Sequence, residues 1–160
     1  MRAWALTLAF AALAGCGGQP ANVPANVPAA APVARVGAMP DTPMVSFPAA
    51  NLVKTEVFAG QLMGQAFMPG GRVATYSKGG KEYQMFATQV GSALDAAVLL
   101  PDWRKALTGA KLVPSFGGYF GMDAGKPVFV FAKDKWVAGV AGLPLKDADA
   151  AARLLAAELR

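Results

Sequence analysis

The stretch RVATYSKGGKEYQMFATQV, residues 72–90, predicts a β-hairpin. Gly79 and Gly80 lie at its centre, and glycine tolerates the positive φ angles that a two-residue hairpin turn requires. This turn sets Tyr76 opposite Tyr83. One face of the hairpin then carries the side chains that we expect to be buried, which are Ala74, Tyr76, Tyr83, Met85 and Ala87.

The later part of the chain, residues 110–144, alternates aromatic and aliphatic residues between turn signals. This pattern predicts two or three further antiparallel strands. With Lys133 and Asp134 as one of the turns, Phe131 is expected to lie opposite Trp136. One face of the sheet then carries Phe129, Phe131, Trp136, Ala138 and Val140.

Two segments have the apolar spacing of an amphipathic helix. Ser92 and Asp95 form a capping box at the start of the first, and Pro101 predicts a kink or a restart within it. The second segment, residues 146–160, is expected to begin with Asp147 as its cap. Its apolar face consists of Ala148, Ala151, Ala152, Leu155 and Leu159.

Residues 44–160 therefore predict one small domain of the α+β class. We expect a mostly antiparallel sheet with both helices packed on one face. Residues 44–70 leave two interpretations open, a strand followed by a short helix or by a bent extended segment. Gly60 and Gly64 are the reason, because they weaken a helix whose apolar spacing is otherwise regular.

The string FGGYFG, residues 116–121, is the most unusual in this domain. Glycine lets backbones approach closely and leaves neighbouring aromatic rings free to stack on a ligand. Phe116, Tyr119 and Phe120 are therefore candidate ligand-binding residues in a groove for a sugar ring, a peptide or a lipid chain. The alternative is a bulged strand whose aromatic rings fill the core.

The charge of the chain is mildly basic, with 15 lysine and arginine residues against 10 aspartate and glutamate residues. Because the basic residues form no runs, we expect no nucleic-acid partner. Lys126, Lys133 and Lys135 are candidates for a basic rim that contacts anionic lipid headgroups or cell-wall polymer. The alternative is that these lysines are simply solvated in turns.

The sequence contains no histidine and one cysteine, Cys16. Disulfides within the chain, Cys/His zinc sites and catalytic triads with a histidine base are therefore excluded. The carboxylates are scattered, so no metal site is expected. AGKP, residues 124–127, departs from the phosphate-loop pattern because Pro127 occupies the Ser/Thr position. We predict no cofactor and no enzymatic activity.

The chain opens MRAWALTLAFAALAGC, residues 1–16, in which an apolar run follows one basic side chain. A membrane-spanning helix needs about 20 apolar residues, so this run is too short and has the layout of a secretory signal. The end of the run resembles the lipobox of bacterial lipoproteins, in the order Leu13, Ala14, Gly15 and Cys16. In that family the cysteine thiol receives a diacylglycerol and the leader is cut just before it.

The resemblance implies a lipoprotein signal peptide at residues 1–15 and lipidation of Cys16. The alternative is ordinary cleavage after Ala14, which would release a soluble protein with a free thiol. Residues 16–43 are then the lipidated cysteine and a disordered tether rich in proline and alanine. At about 3.1 Å per residue in polyproline geometry, this tether reaches roughly 80 Å.

These features predict a non-enzymatic lipoprotein that is exported and held at a bacterial membrane through Cys16. Its expected partner is another envelope protein or polymer. Gly17 stands where an aspartate retains enterobacterial lipoproteins at the inner membrane, so the resemblance favours the outer membrane, facing the periplasm, if the organism has one. The alternative function is a periplasmic module that binds a lipid, sugar or peptide.

Overall fold

Residues 45–160 are the part of the chain described by the computed structural model, and they contain seven strands and two α-helices. Cys16, the lipobox and the tether lie outside the described residues. In chain order the elements are β1 (Leu52–Gly60), a 3-10 turn (Leu62–Gly64), β2 (Pro69–Lys78), β3 (Lys81–Gln89), α1 (Ala93–Ala106), β4 (Thr108–Val113), β5 (Gly118–Asp123), β6 (Lys126–Lys133), β7 (Trp136–Ala141) and α2 (Leu145–Glu158).

The seven strands form one antiparallel sheet in the order β1-β2-β3-β7-β6-β5-β4. Two meanders, β1 to β3 and β4 to β7, join where β3 pairs with β7. The predicted hairpin is confirmed, because Tyr76 lies opposite Tyr83 and the turn glycines Gly79 and Gly80 have φ angles of 60° and 75°. The α+β class, the small single domain and the antiparallel sheet agree with the prediction.

The two helices cover opposite faces of the sheet, so the prediction that both pack on one face is wrong. On β6, Val128 and Val130 belong to the core that contains α1 residues, whereas Phe129 and Phe131 belong to the core that contains α2 residues. Neighbouring residues of a strand point to opposite faces. Strand β6 is apolar at consecutive positions, which is the pattern of a strand buried on both faces. We refer below to the α1 face and the α2 face.

Helix α1 has the predicted cap and runs without a break through Pro101. The Ser92 hydroxyl accepts a hydrogen bond from the backbone N–H of Asp95 at 3.1 Å and donates one to Asp95 Oδ2 at 2.8 Å. The helix continues through Pro101 to Ala106, so the predicted restart is wrong. A proline removes one intrahelical hydrogen bond, and Trp103, which is completely buried two residues later, holds the second half of α1 against the sheet.

Helix α2 begins earlier than predicted. Pro144 occupies the N-cap position, and Asp147 lies in the first turn without a capping side-chain hydrogen bond, so its prediction as the cap is wrong. Its carboxylate still stabilises the first turn of α2, because the N-terminus of a helix carries partial positive charge. The predicted apolar face is confirmed, since the buried residues are Ala148, Ala151, Ala152, Leu155 and Leu159.

The β6–β7 turn lies one residue later than predicted. Asp134 and Lys135 form it, so Phe131 lies opposite Ala138 and not Trp136. Asp134 takes a φ angle of 50°, a left-handed conformation that aspartate tolerates better than most residues. The observed partner of Phe131 lies two positions beyond the predicted one. Because side chains of a strand alternate between faces, a shift of two leaves each residue on its predicted face, and that face is confirmed.

Residues 45–70 contain a strand followed by a short helical turn, which is the first of the two interpretations left open by the sequence. Strand β1 lies at one edge of the sheet, and every one of its residues is exposed. The 3-10 turn after it buries Leu62 completely on the α1 face. The Leu62 side chain lies against Gly71 of β2.

Gly139 lies at a point of β7 where the two cores leave no room for a side chain. A Cβ there would overlap the carbonyl oxygen of Phe129 and the ring of Phe86. Both neighbours are fully buried and cannot move aside. We expect Gly139→Ala to lower the free energy of unfolding by about 1–3 kcal/mol, measured by urea unfolding followed by circular dichroism.

Gly60→Ala is the matched control for this substitution, because nothing lies within 4 Å of a Cβ at that position. We expect a change within about 0.5 kcal/mol there. Equal effects of the two substitutions would contradict the packing described around Gly139.

Candidate ligand-binding cleft

A cleft of about 450 Å³ opens between the turn of the β2–β3 hairpin and helix α2. Helix α2 packs over β6 and β7, and the cleft lies beside it on the α2 face, where Tyr83 of β3 forms part of the lining. The hairpin contributes Lys78, Gly79, Lys81 and Tyr83, and the other side is formed by Leu143, Asp147, Ala150, Ala151 and Leu154.

The helix side of the cleft is apolar. Ala150 and Ala151 have small side chains, which leave open space beside the Tyr83 ring. Leu154 extends along the same wall and is 60% exposed, a high value for a leucine in a concave surface. Pockets that bind small molecules combine such apolar walls with a few polar groups. The wall therefore suits an apolar segment of a ligand.

The hairpin side of the cleft carries two lysines. Lys78 and Lys81 are directly opposite each other across the turn, an arrangement of like charges that destabilises a hairpin. Within residues 45–160, no carboxylate forms a salt bridge with either ammonium group. With Asp147 as the one acidic residue of the lining, this cleft has a net positive charge and suits an anionic group.

Tyr83 is held in place by a second tyrosine behind it. The rings of Tyr76 and Tyr83 are stacked, with centroids 4.9 Å apart and an angle of 12° between their planes. The Tyr76 hydroxyl donates a hydrogen bond to the carbonyl oxygen of Pro48 at 2.9 Å. Burial, with additional contributions from the charges of Tyr83 and Glu158, raises the pKa of Tyr76 to about 12. Tyr76 is therefore a neutral donor at any physiological pH.

The Tyr76 hydrogen bond also ties the first described residues to the sheet. Val45 is buried in the core of the α2 face, and Phe47 packs partly buried against the same core. The chain thus enters the domain on the face that carries the cleft.

Burial raises the pKa of Tyr83 as well, so its ring lines the cleft in the neutral form.

The three aromatic residues predicted from FGGYFG are not brought together in one groove. Phe116 and Phe120 are half-buried against the core of the α2 face, whereas Tyr119 packs against the core of the α1 face. Phe116 fills the core, with its ring centroid 5.5 Å from that of Phe129. None of the three lines the cleft described above.

Phe116 and Tyr119 each lie beneath an arginine of a different helix. The guanidinium of Arg153 is 5.4 Å from the Phe116 ring centroid, and that of Arg104 is 5.9 Å from the Tyr119 ring centroid. Arg153 also forms a salt bridge with Asp149 at 2.9 Å. This hydrogen bond from Arg153, together with a weaker one from Ser115, lowers the pKa of Asp149. These contacts attach α2 to the turn before β5.

The lysines proposed as a basic rim have separate roles. Lys133 Nζ donates hydrogen bonds to the carbonyl oxygens of Ala156 at 2.6 Å and Leu159 at 2.9 Å, so it satisfies the C-terminal end of α2. Lys126 Nζ donates to Gln84 Oε1 at 3.3 Å. A basic rim made of these residues together with Lys135 is not supported by this geometry, because Lys133 is engaged by the helix.

The described residues show neither a metal cluster nor a membrane-spanning helix. No group of three or more metal-ligating side chains converges within residues 45–160. Over the same range, neither helix has the length and apolar character needed to cross a bilayer. Comparisons with protein-family models, with curated proteins and with solved structures found no match to this chain.

Proposed function

We propose that this chain is a lipid-anchored, non-enzymatic binding module of the bacterial envelope. Cys16 carries the acyl chains, residues 17–43 form the tether, and the α+β domain binds a ligand in the cleft between the hairpin and α2. The lipobox-like sequence at residues 13–16 supports the anchor. With Gly17 after the cysteine, the favoured location is the outer membrane, facing the periplasm, in an organism that has one.

The ligand class follows from the chemistry of the cleft. An apolar wall of Ala150, Ala151 and Leu154 faces two lysines that have no acidic partner among the described residues. The proposed ligand class depends on this arrangement. Two lysines facing each other destabilise the hairpin, and a locally unfavourable arrangement of this kind is typical of a functional site. We propose an amphipathic ligand with an acyl-like segment and an anionic group, the lipid case of the predicted ligand-binding module.

Binding of dodecanoate tests this proposal, because that molecule combines a twelve-carbon chain with one carboxylate. We expect saturable binding by isothermal titration calorimetry, and much weaker binding of dodecyltrimethylammonium, which has the same chain and the opposite charge. Replacing both lysines, Lys78→Ala with Lys81→Ala, is expected to weaken dodecanoate binding about fivefold to tenfold, since each exposed ion pair contributes up to about 1 kcal/mol.

Lys111→Ala is the matched control, because this lysine is exposed on β4 and does not line the cleft. Its substitution removes one positive charge outside the cleft, half of the charge lost in the double variant, and is expected to leave the dissociation constant for dodecanoate within about twofold. Equal affinity for the anionic and cationic amphiphiles, or equal effects of the cleft and control substitutions, would contradict the proposed ligand class.

A further inference from the structure

Strand β1 has a free edge. It is the first strand in the order of the sheet and pairs only with β2 among the described residues. It is nine residues long and exposed throughout. Val53 and Val57 are 60% and 51% exposed. Edge strands with apolar side chains and unpaired backbone N–H and C=O groups are templates for pairing with another strand.

The sequence of β1 is complementary to itself when two copies run antiparallel. In the register centred on Thr55, Thr55 faces the Thr55 of the other copy, Lys54 faces Glu56, and Val53 faces Val57. Every facing pair is one that favours antiparallel pairing: threonine with threonine, opposite charges, and two β-branched apolar side chains. We propose that β1 is a homodimer interface, through which a second copy of this chain extends the sheet.

The conformation of β1 is compatible with this register. Lys54 Nζ and Glu56 Oε2 are 3.0 Å apart on one strand, with both side chains about half exposed. In the dimer the two pairs combine into a group of four alternating charges around the two-fold axis. A β-bulge between Leu52 and Lys54 leaves Val53 as the extra residue in the pairing with β2, so the regular part of this register is residues 54–56, and the Val53–Val57 pair lies at its irregular end.

The other edge of the sheet lacks this complementarity. Strand β4 has six residues, TGAKLV, and its register with β5 shifts between Thr108 and Lys111. Lys111 is the one charged residue of the strand, so no antiparallel register of two β4 strands pairs opposite charges. Two β1 edges can therefore pair opposite charges and two β4 edges cannot, which assigns self-association to β1.

The two-fold axis also places both chains correctly for attachment to one membrane. Pairing of two β1 strands about an axis perpendicular to the sheet keeps the α2 faces of both copies on the same side. Val45 is buried in the core of that face, so the first described residues of both copies lie on the same side of the dimer. This step rests on the proposed anchor at Cys16, whereas the strand pairing itself does not.

Cysteine cross-linking of the full-length protein in detergent tests the register. Directly opposite residues of antiparallel strands have Cα atoms about 4.5 or 5.5 Å apart, within the range that a disulfide bridges. Thr55→Cys is expected to form a disulfide-linked dimer under mild oxidation, on a non-reducing gel. Thr108→Cys on the β4 edge and the unsubstituted chain, whose only cysteine is Cys16, are expected to stay monomeric on that gel.

Exchange of the charges at positions 54 and 56 tests the same interface without a new cysteine. Lys54→Glu alone and Glu56→Lys alone each place like charges opposite each other and are expected to weaken self-association about tenfold or more. The double variant is expected to restore it, and a mixture of the two single variants to form a heterodimer, by sedimentation velocity. Lys111→Glu is the control that leaves the dimer unchanged.

A monomer at all concentrations, or no cross-link at position 55, would overturn the proposed interface. Self-association of equal strength in the unsubstituted protein and in the Lys54→Glu and Glu56→Lys variants would also overturn it. Because the charge-exchange measurement is done in detergent and involves no cysteine, failure of the lipid anchor, which would leave a free thiol at Cys16, would not change its result. Failure of the dimer would likewise leave the binding of dodecanoate in the cleft as a separate question.

Discussion

Replacing Trp103 with alanine is expected to lower the free energy of unfolding by about 3–5 kcal/mol. Trp103 is fully buried on the α1 face. Its ring stacks on Phe86 with centroids 5.6 Å apart and meets the ring of Phe67 edge-on at the same distance. Its indole N–H donates to Met68 Sδ at 3.1 Å. The substitution removes the largest fully buried side chain of the described residues and leaves a cavity.

Urea unfolding followed by far-ultraviolet circular dichroism measures this loss without relying on the removed tryptophan. Trp103→Phe keeps a ring against Phe86 and is expected to lose less stability than the alanine variant. Leu94→Ala is the control on the same helix, because Leu94 is 72% exposed, and its effect should stay within about 0.5 kcal/mol. A loss below about 1 kcal/mol for Trp103→Ala would contradict the described packing of α1.

Replacing Cys16 with serine is expected to abolish incorporation of labelled palmitate into the protein. The proposed diacylglycerol is attached through the cysteine sulfur, and a serine hydroxyl cannot replace the thiol in that reaction. Each methylene buried in a bilayer contributes about 0.8 kcal/mol, and two chains are needed for a stable anchor. The palmitate signal of the precipitated protein should therefore fall to background, and the shorter processed form should not appear on a gel.

Gly17→Asp is the matched control for the anchor. The substitution lies next to the lipidated residue but leaves the thiol in place, so palmitate incorporation should continue at the level of the unsubstituted protein. Where the organism has two membranes, we expect this variant to move from the outer to the inner membrane fraction. Continued labelling of the Cys16→Ser variant would contradict the proposed modification.

The features of the fold that are set by neighbouring residues could be predicted from the sequence. Gly79 and Gly80 determine the turn and with it the register of Tyr76 against Tyr83. The Ser92 cap depends on contacts with Asp95 only three residues away. The apolar face of α2 follows from the spacing of its own side chains. In each case the residues that decide the structure lie within one hairpin or one helix.

The arrangement of the layers could not be predicted in the same way. Phe129 and Val130 are adjacent apolar residues of β6 that belong to different cores. A continuous apolar run indicates that both faces of a strand are buried, but it does not indicate which helix covers each face. The pairing of β3 with β7 joins segments separated by a helix and three strands, and the contact of Phe86 with Gly139 exists only after that pairing.

The candidate site depends on the same long-range pairing. Lys78 and Lys81 lie at the hairpin turn, and Leu154 lies on the last helix. They meet only because β3 pairs with β7 and α2 packs beside them. The sequence signal that could have suggested the site is the pair of lysines facing each other across Gly79 and Gly80. The FGGYFG string gave a different expectation, because alternation along β5 separates Tyr119 from Phe120.

We propose that a covalent lipid at Cys16 holds this domain at a membrane. Intact mass analysis of the processed protein, extracted from membranes, detects that lipid. We expect a chain that begins at Cys16 and is heavier than its amino-acid sequence by a diacylglycerol, with or without a further acyl group. A chain that begins at Gly15, or an unmodified Cys16, would contradict it.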